Sequence, residues 1–571
     1  MTGGRPLRRL MEGGARLGFL AAVVAVGSWA GAPGGAAAEG ASSSPTELAL
    51  VVSQDARVAA MARLAETEAQ RWDVAEPAPF RAVDRGTGQA SIVLPARSAP
   101  YMIAELAAGF PSAFETVAPG TLLLTEHIVV GHDARLVVSG AEVREVRLLS
   151  GPERFVTIVS SRGEIDVAGT AQAPVAVTSW DPTANDHDLD AHDGRAYVLT
   201  KGGRLDIRAA DFSHLGFRIG TSSGVAWKGW PDEPSRGDVF GSRFRENYFG
   251  AYTFEAVDMR WVGNRFSDNA VYGFDPHDHS DRFVVAFNVA SGNGRHGIIF
   301  SRGCRDNVVR FNLAAGNGWH GIVLDDGKVD EESGDARHAL AVPSDDNVIE
   351  HNVSWGNGEV GVAVEGGTRN LVRGNVVGGN RFGIRLKNGA SGNALVGNLI
   401  RGSEVFGVYL YNGSAGNDVA RNAIAGGTAG VVAKDAPGTR ILGNGIADIE
   451  GHGVALVGSV GGSVVAGNEL AGRGSSAVDT LRARDPAALR VVANRADHWV
   501  VTPGVRPGKV VLDFFRHHPP AAIWAGFLLL LGGVGWPARR RWRRAMAGAP
   551  SVVPAPVMVA ATPLGPVAGP A

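Results

Sequence analysis

Three short segments of this chain gather groups that can move protons or hold anions. Asp275-Pro276-His277-Asp278-His279-Ser280 places two carboxylates and two imidazoles within six positions. Ser301-Arg302 follows, Arg302 lying 25 positions after His277, and Asp325-Asp326 comes next. Histidine has an intrinsic pKa near the physiological range, a neighbouring carboxylate can orient its ring and raise its basicity, and arginine stays charged. Such a set suits general acid and base chemistry beside a bound anion. It works only if residues far apart in sequence are brought side by side.

A repeat supplies that positioning. Asn264, Asn288, Asn312, Asn352, Asn375, Asn398, Asn422, Asn444 and Asn468 head similar segments, at spacings of 24, 24, 40, 23, 23, 24, 22 and 24. Eight or nine residues after most of them a glycine opens a short strand, as in GFDPHD, GIIFSR, GIVLDD, GVAVEG, GIRLKN, GVYLYN, GVVAKD and GVALVG. A period of about 23 residues with β-branched alternation predicts one coil of a parallel β-helix, because stacked coils bury a common core. The asparagines read as a structural ladder at a turn. The 40-residue gap equals one coil plus an insertion, placed at 328–346 and rich in carboxylates. Weaker repeats at Gly224 and Gly250 and alternating stretches between 120 and 180 extend the solenoid upstream, and residues 47–71 read as a helix that caps or precedes it.

Strand alternation turns the repeat into a map, since equivalent positions on successive coils lie about 4.8 Å apart. Counted from each opening glycine, the second position carries Tyr252, Asp275, Ile299, Val323, Ala363, Arg385, Tyr409 and Val432. The fourth carries Phe254, His277, Ser301, Asp325, Glu365, Lys387, Tyr411 and Lys434. Both columns are expected to project outward. Flat rings at Tyr252, Tyr409 and Tyr411 with cations at Arg385, Lys387 and Lys434 suit an extended acidic sugar polymer, and Ser301 and Asp325 add hydrogen-bonding groups.

The segment EAVDMRWVGNRFSDNAVYGFDPHDHS followed by HGIIFSR resembles the mannuronan C5-epimerases of bacterial alginate biosynthesis, whose catalytic coil carries DPHD followed by an ISR-like arginine. The resemblance runs from about residue 95 to 470 and includes AEVREVRLLS and FSHLGF. It implies an all-β, right-handed parallel β-helix acting on a polyuronate. It also implies roles: His277 as the base that removes the C5 proton, Arg302 as the cation that offsets the sugar carboxylate, and Asp275 or Asp278 as the group that orients the imidazole. Water returns the proton in that family. No cofactor is implied, and no metal, since the calcium-binding glycine nonapeptides of secreted epimerases are absent. A polysaccharide lyase begins with the same proton abstraction, and a non-catalytic carbohydrate-binding or assembly scaffold, as in copper-associated periplasmic β-helices, shares the fold; both remain alternatives.

Composition narrows the partners. A net charge of −2 provides no basic field for nucleic acid, and 79 glycines in 571 residues indicate many tight turns. Cys304 is the single cysteine, so neither an internal disulfide nor a cysteine-rich metal centre is expected. Arg5, Arg8, Arg9 and Arg16 precede an apolar stretch from about Leu17 to Ala30, and Ala36-Ala37-Ala38 before Glu39 suits cleavage, which predicts a signal peptide over 1–38. Residues 519–538 are uncharged and meet Arg539-Arg540-Arg541-Trp542-Arg543-Arg544, the pattern of a transmembrane helix with its C-terminus in the cytoplasm. The expected organisation is 1–38 signal, 39–94 helical cap and linker, 95–490 β-helix, 491–518 linker, 519–538 membrane helix and 539–571 basic stop and tail. The catalytic domain would then sit on the exported face, beside a polysaccharide synthase or export machinery.

Overall fold

The structure is a computed structural model that describes residues 45–71, 77–327 and 341–502. The expected signal peptide, the membrane helix at 519–538 and most of the insertion at 328–346 lie outside the described residues. Among the described residues no helix is long and apolar enough to cross a membrane.

The described strands form three sheets of 16, 15 and 17 strands, with nearly every inter-coil pairing parallel. One coil illustrates the plan: Phe274–His277 lies in the first sheet, Val284–Ala286 in the second and Val289–Ser291 in the third. Short strands of alternating character allow this, because one face of each can fill a shared interior while the other meets solvent. The interior is apolar and, around the His277 coil, aromatic. Phe266 stacks on Phe274 at 5.3 Å, Trp261 lies 4.2 Å from Phe274, and all three are fully buried. This rigid packing underlies the strand that carries the titratable cluster.

The solenoid reaches past both edges of the expected 95–490 span, beginning with Ala90–Leu94 and ending with Arg495–Val501. Pro45–Arg71 is a helix lying across the outer face of the first sheet at its N-terminal end, where Met61 and Ala65 pack on Val93 and Val129. Arg57 is buried beneath it and donates to Ser91 Oγ and Thr157 Oγ1, while Asp55 accepts from Lys201 Nζ at 2.8 Å. The helix thus covers the first coils and leaves the later ones open.

The asparagine ladder lies at the turn from the second to the third sheet. Asn312 is representative: its Oδ1 accepts from the backbone N–H and the side-chain amide of Asn288, and its own Nδ2 donates to Asn352 Oδ1 and Val285 O. Two further ladders occupy the other corners, through Asn247, Asn269, Asn293, Asn317, Asn357 and Asn380, and through Asn307, Asn347, Asn370, Asn393 and Asn417. Asn312→Ala strands the buried backbone N–H of Asn288 and the carbonyl of Val285, so the variant is expected to lose about 1–3 kcal/mol of stability, seen as a lower unfolding midpoint in urea.

Candidate functional site

The predicted register holds. Tyr252 pairs with Asp275 and Phe254 with His277; His277 pairs with Ser301, Ser301 with Asp325, Glu365 with Lys387, and Arg385 with Tyr409. The first sheet therefore brings His277, Ser301 and Asp325 into one outward column on three successive strands, although they are spread over 49 residues of sequence.

Local backbone geometry converts that column into a cluster. Pro276 has no N–H to give the ladder, and Asp278, His279 and Arg302 adopt left-handed φ values of 34°, 53° and 63°. The strand ends in a turn fixed by bonds from Glu255 N to Asp278 O and from Asp278 N to Ser301 O, both 2.8 Å. Ser280 Oγ donates to His277 O at 2.8 Å, and Ser280 Oγ lies 2.7 Å from Thr253 Oγ1. The turn folds Asp278 back on its neighbour, so that one carboxylate oxygen bonds His277 Nδ1 while the other accepts from Arg302 Nε at 3.0 Å. Asp278 bridges the imidazole and the guanidinium. Glycines make room for this arrangement. A Cβ at Gly327 would lie 2.2 Å from Arg302 Cγ, and one at Gly303 would lie 2.8 Å from the His279 ring.

The electrostatics follow from this bridge. Burial pulls the His277 imidazole down, but the Asp278 hydrogen bond and the charges of Asp275 and Asp278 outweigh it, leaving its pKa above the usual histidine value. Burial raises Asp278, yet its bonds to His277 and Arg302 leave it below the usual carboxylate range. Asp275 is 1% exposed, its Oδ1 has no hydrogen-bond partner, and burial pushes it up to about 7. Asp325 is likewise pushed up to about 7, by burial first and then by Glu365. Two carboxylates thus flank the centre in forms that can carry a proton near neutrality. Tyr252 sits 5.7 Å from the His277 ring, and burial raises its phenol well above the usual value.

Farther along the strip the structure changes the expected picture. Arg385 and Lys387 are 5% exposed and do not stand free to meet a sugar carboxylate. Arg385 donates to Glu359 Oε1 at 2.7 Å, Glu365 Oε1 at 2.9 Å and His320 Nε2 at 3.1 Å, and Lys387 Nζ lies 3.1 Å from Glu365 Oε2. Two cations and two carboxylates make this stretch neutral overall, because desolvated charges are tolerated only in pairs. Tyr409 and Tyr411 stack at 4.4 Å beyond it, with Phe382 and Phe406 packed against Tyr409, while Lys434 is exposed.

His296 and His320 are buried immediately before successive opening glycines, where Tyr272 stacks on His296 at 5.2 Å and His296 lies 4.7 Å from His320. Burial holds both imidazoles well below the usual range. Arg302, Arg385 and Lys387 thus each contribute through a carboxylate partner rather than as bare charges. Cys304 is buried beneath the turn, with Sγ near Ser301 O and Pro276 O, a packing position.

Fold and site together define a three-sheet parallel β-helix with a His–Asp–Arg centre on its open face. The chain is similar to proteins named mannuronan C5-epimerase. The relative from Pseudomonas aeruginosa is 30% identical over 218 residues, 36% of this chain and 38% of that protein. Mannuronan C5-epimerase AlgG from Azotobacter vinelandii is 30% identical over 215 residues, 35% and 39% respectively. The matched region therefore spans less than two-fifths of these curated relatives. The crystal structure of the periplasmic alginate epimerase AlgG superimposes with a TM-score of 0.52 at 20% identity, covering 76% of this chain and 96% of that one, which establishes the shared fold. A family model described as periplasmic copper-binding protein (NosD) matches residues 328–480. That stretch lies beyond His277 and Arg302. Among the described residues no group of three or more His, Cys, Asp and Glu is placed to hold a metal ion.

Proposed function

We propose that this protein is a polyuronate C5-epimerase of the mannuronan-to-guluronan type. The observation that carries the reading is the Asp278 bridge, which couples a basic imidazole to a guanidinium on the open face of the solenoid. The C5 proton of a uronate is weakly acidic because its removal places a second negative charge beside the carboxylate. Arg302 neutralises that carboxylate and stabilises the charge as it spreads into it. With Nδ1 held as donor to Asp278, the lone pair of a neutral His277 resides on Nε2, the nitrogen that takes the proton. All the titratable groups lie on the sheet side of a polymer resting in the strip. Its opposite face meets solvent, and water there returns a proton with inversion. Tyr252, Ser301 and Asp325 line the reacting sugar, while Tyr409, Tyr411 and Lys434 serve sugars farther along, with the paired Arg385 and Lys387 as a neutral polar floor. We read 1–38 as an export signal and 519–538 as an anchor that keeps the domain on the exported face near a polymer synthase.

Proton NMR of polymannuronate incubated with the protein in deuterated water tests this. Deuterium at C5 with new guluronate signals is the expected result; unsaturated chain ends would establish a lyase, and an unchanged polymer would favour a binding scaffold.

The pH dependence should carry the mark of the bridge. His277 acts as base only when neutral, and its pKa is raised, so kcat/KM falls as pH drops through a value above the ordinary histidine value of about 6.5. Asp275, Asp278, Arg302 and Tyr252 face it. Asp278→Asn removes the charge and weakens the hydrogen bond that favour the imidazolium, so its acid limb should move to lower pH, as read from kcat/KM profiles of the two proteins.

A further inference from the structure

The outward column of His277 continues toward the N-terminal end of the solenoid. Lys201 pairs with Lys228, Lys228 with Phe254, and Phe254 with His277, so Lys228 stands two strands from the base on the same face. Its surroundings differ from those of the other buried cations of the strip. Arg302 has Asp278, Arg385 has Glu359 and Glu365, Lys387 has Glu365, and Lys201 has Asp55. Lys228 is half-buried and makes no hydrogen bond or ion pair with any described residue.

The Pro45–Arg71 helix ends the open strip at this point. It packs on the coils through Thr157–Ser161 and reaches Lys201 through Asp55. Lys228 is therefore the first position that the helix does not engage by an ion pair, and Phe254 presents an aromatic surface between it and His277. A desolvated ammonium without a directly bonded counter-charge is unfavourable, and burial followed by repulsion from Lys201 outweighs the attraction of Asp55 and lowers its pKa. An anion arriving from the polymer would relieve both effects.

Spacing identifies that anion. Adjacent strands are separated by ~4.8 Å, close to the advance of a 1,4-linked pyranose along its chain, so a polymer laid along the column places about one sugar per strand. With the reacting sugar at His277, the next lies over Phe254 and the second over Lys228. We infer that Lys228 binds the carboxylate of the uronate two sugar positions from the reacting one, on the N-terminal side of the strip.

This inference rests on the polyuronate reading, and binding separates the two. Calorimetric titration of polymannuronate into the unchanged protein, Lys228→Ala and Lys228→Arg should give about tenfold weaker binding for the alanine variant alone, with the arginine variant close to the unchanged protein. Turnover should show KM raised by a similar factor in Lys228→Ala with kcat little altered, since the contact is remote from the reacting carbon. Equal affinities in the unchanged and alanine proteins would overturn the Lys228 subsite while leaving the epimerase reading intact. An unchanged protein that binds no polymannuronate would overturn both. Weakening in the alanine and arginine variants alike would also overturn the subsite, because it would show a requirement for shape rather than for charge.

Discussion

Replacing His277 by Asn should lower the rate of C5 deuterium incorporation by about 10²–10⁴-fold, the range that a positioned general base supplies. Asparagine approximates the volume of the ring nearest the backbone and preserves a polar contact with Asp278, but it has no lone pair of suitable basicity. The fold should survive, because the strand is held by backbone bonds to Ala251–Phe254 and Ile298–Ser301 and by Phe274 in the aromatic core. Melting and circular dichroism close to those of the unchanged protein, together with loss of deuterium at C5, are the expected pair of results. Retained exchange would exclude His277 as the base and direct attention to Asp275 or Asp325, whose carboxyls are pushed up to about 7.

Arg302→Lys should be nearly as damaging, with kcat lower by about 10²–10³-fold, because a lysine keeps the charge but loses the planar fork that matches a carboxylate. Binding of the polymer should weaken much less than turnover falls. The loss arises in the transition state, where the second negative charge develops. A second route to the same defect leaves the arginine in place. Gly327 has a left-handed φ of 66°, and a methyl group there would lie 2.2 Å from Arg302 Cγ, so Gly327→Ala must displace the guanidinium side chain or strain its own backbone. Single-turnover measurements on both variants check whether the proton-transfer step, rather than polymer release, has slowed.

Much of this architecture was legible because a β-helix writes its period into the chain. The asparagine spacing announced one ladder, and the opening glycines gave the register that places His277 beside Ser301 and Asp325. Two further ladders are present in the same spacing, through Asn293 and Asn307 among others. The helix over Pro45–Arg71 was also anticipated, while its seat on the outer face of the first sheet was not.

By itself, then, the sequence determined the coil period, the outward columns and the pairing of a histidine strand with an arginine strand one coil away. These depend on alternation and repeat length, which are local and additive. Tertiary structure alone decided which charges are available. Glu359 and Glu365 neutralise Arg385 and Lys387, Asp278 turns back to bridge His277 and Arg302, and Lys228 is left without a partner at the edge of the helix. Charge state and pairing depend on burial and on side-chain reach between coils, and neither is encoded in the spacing along one strand.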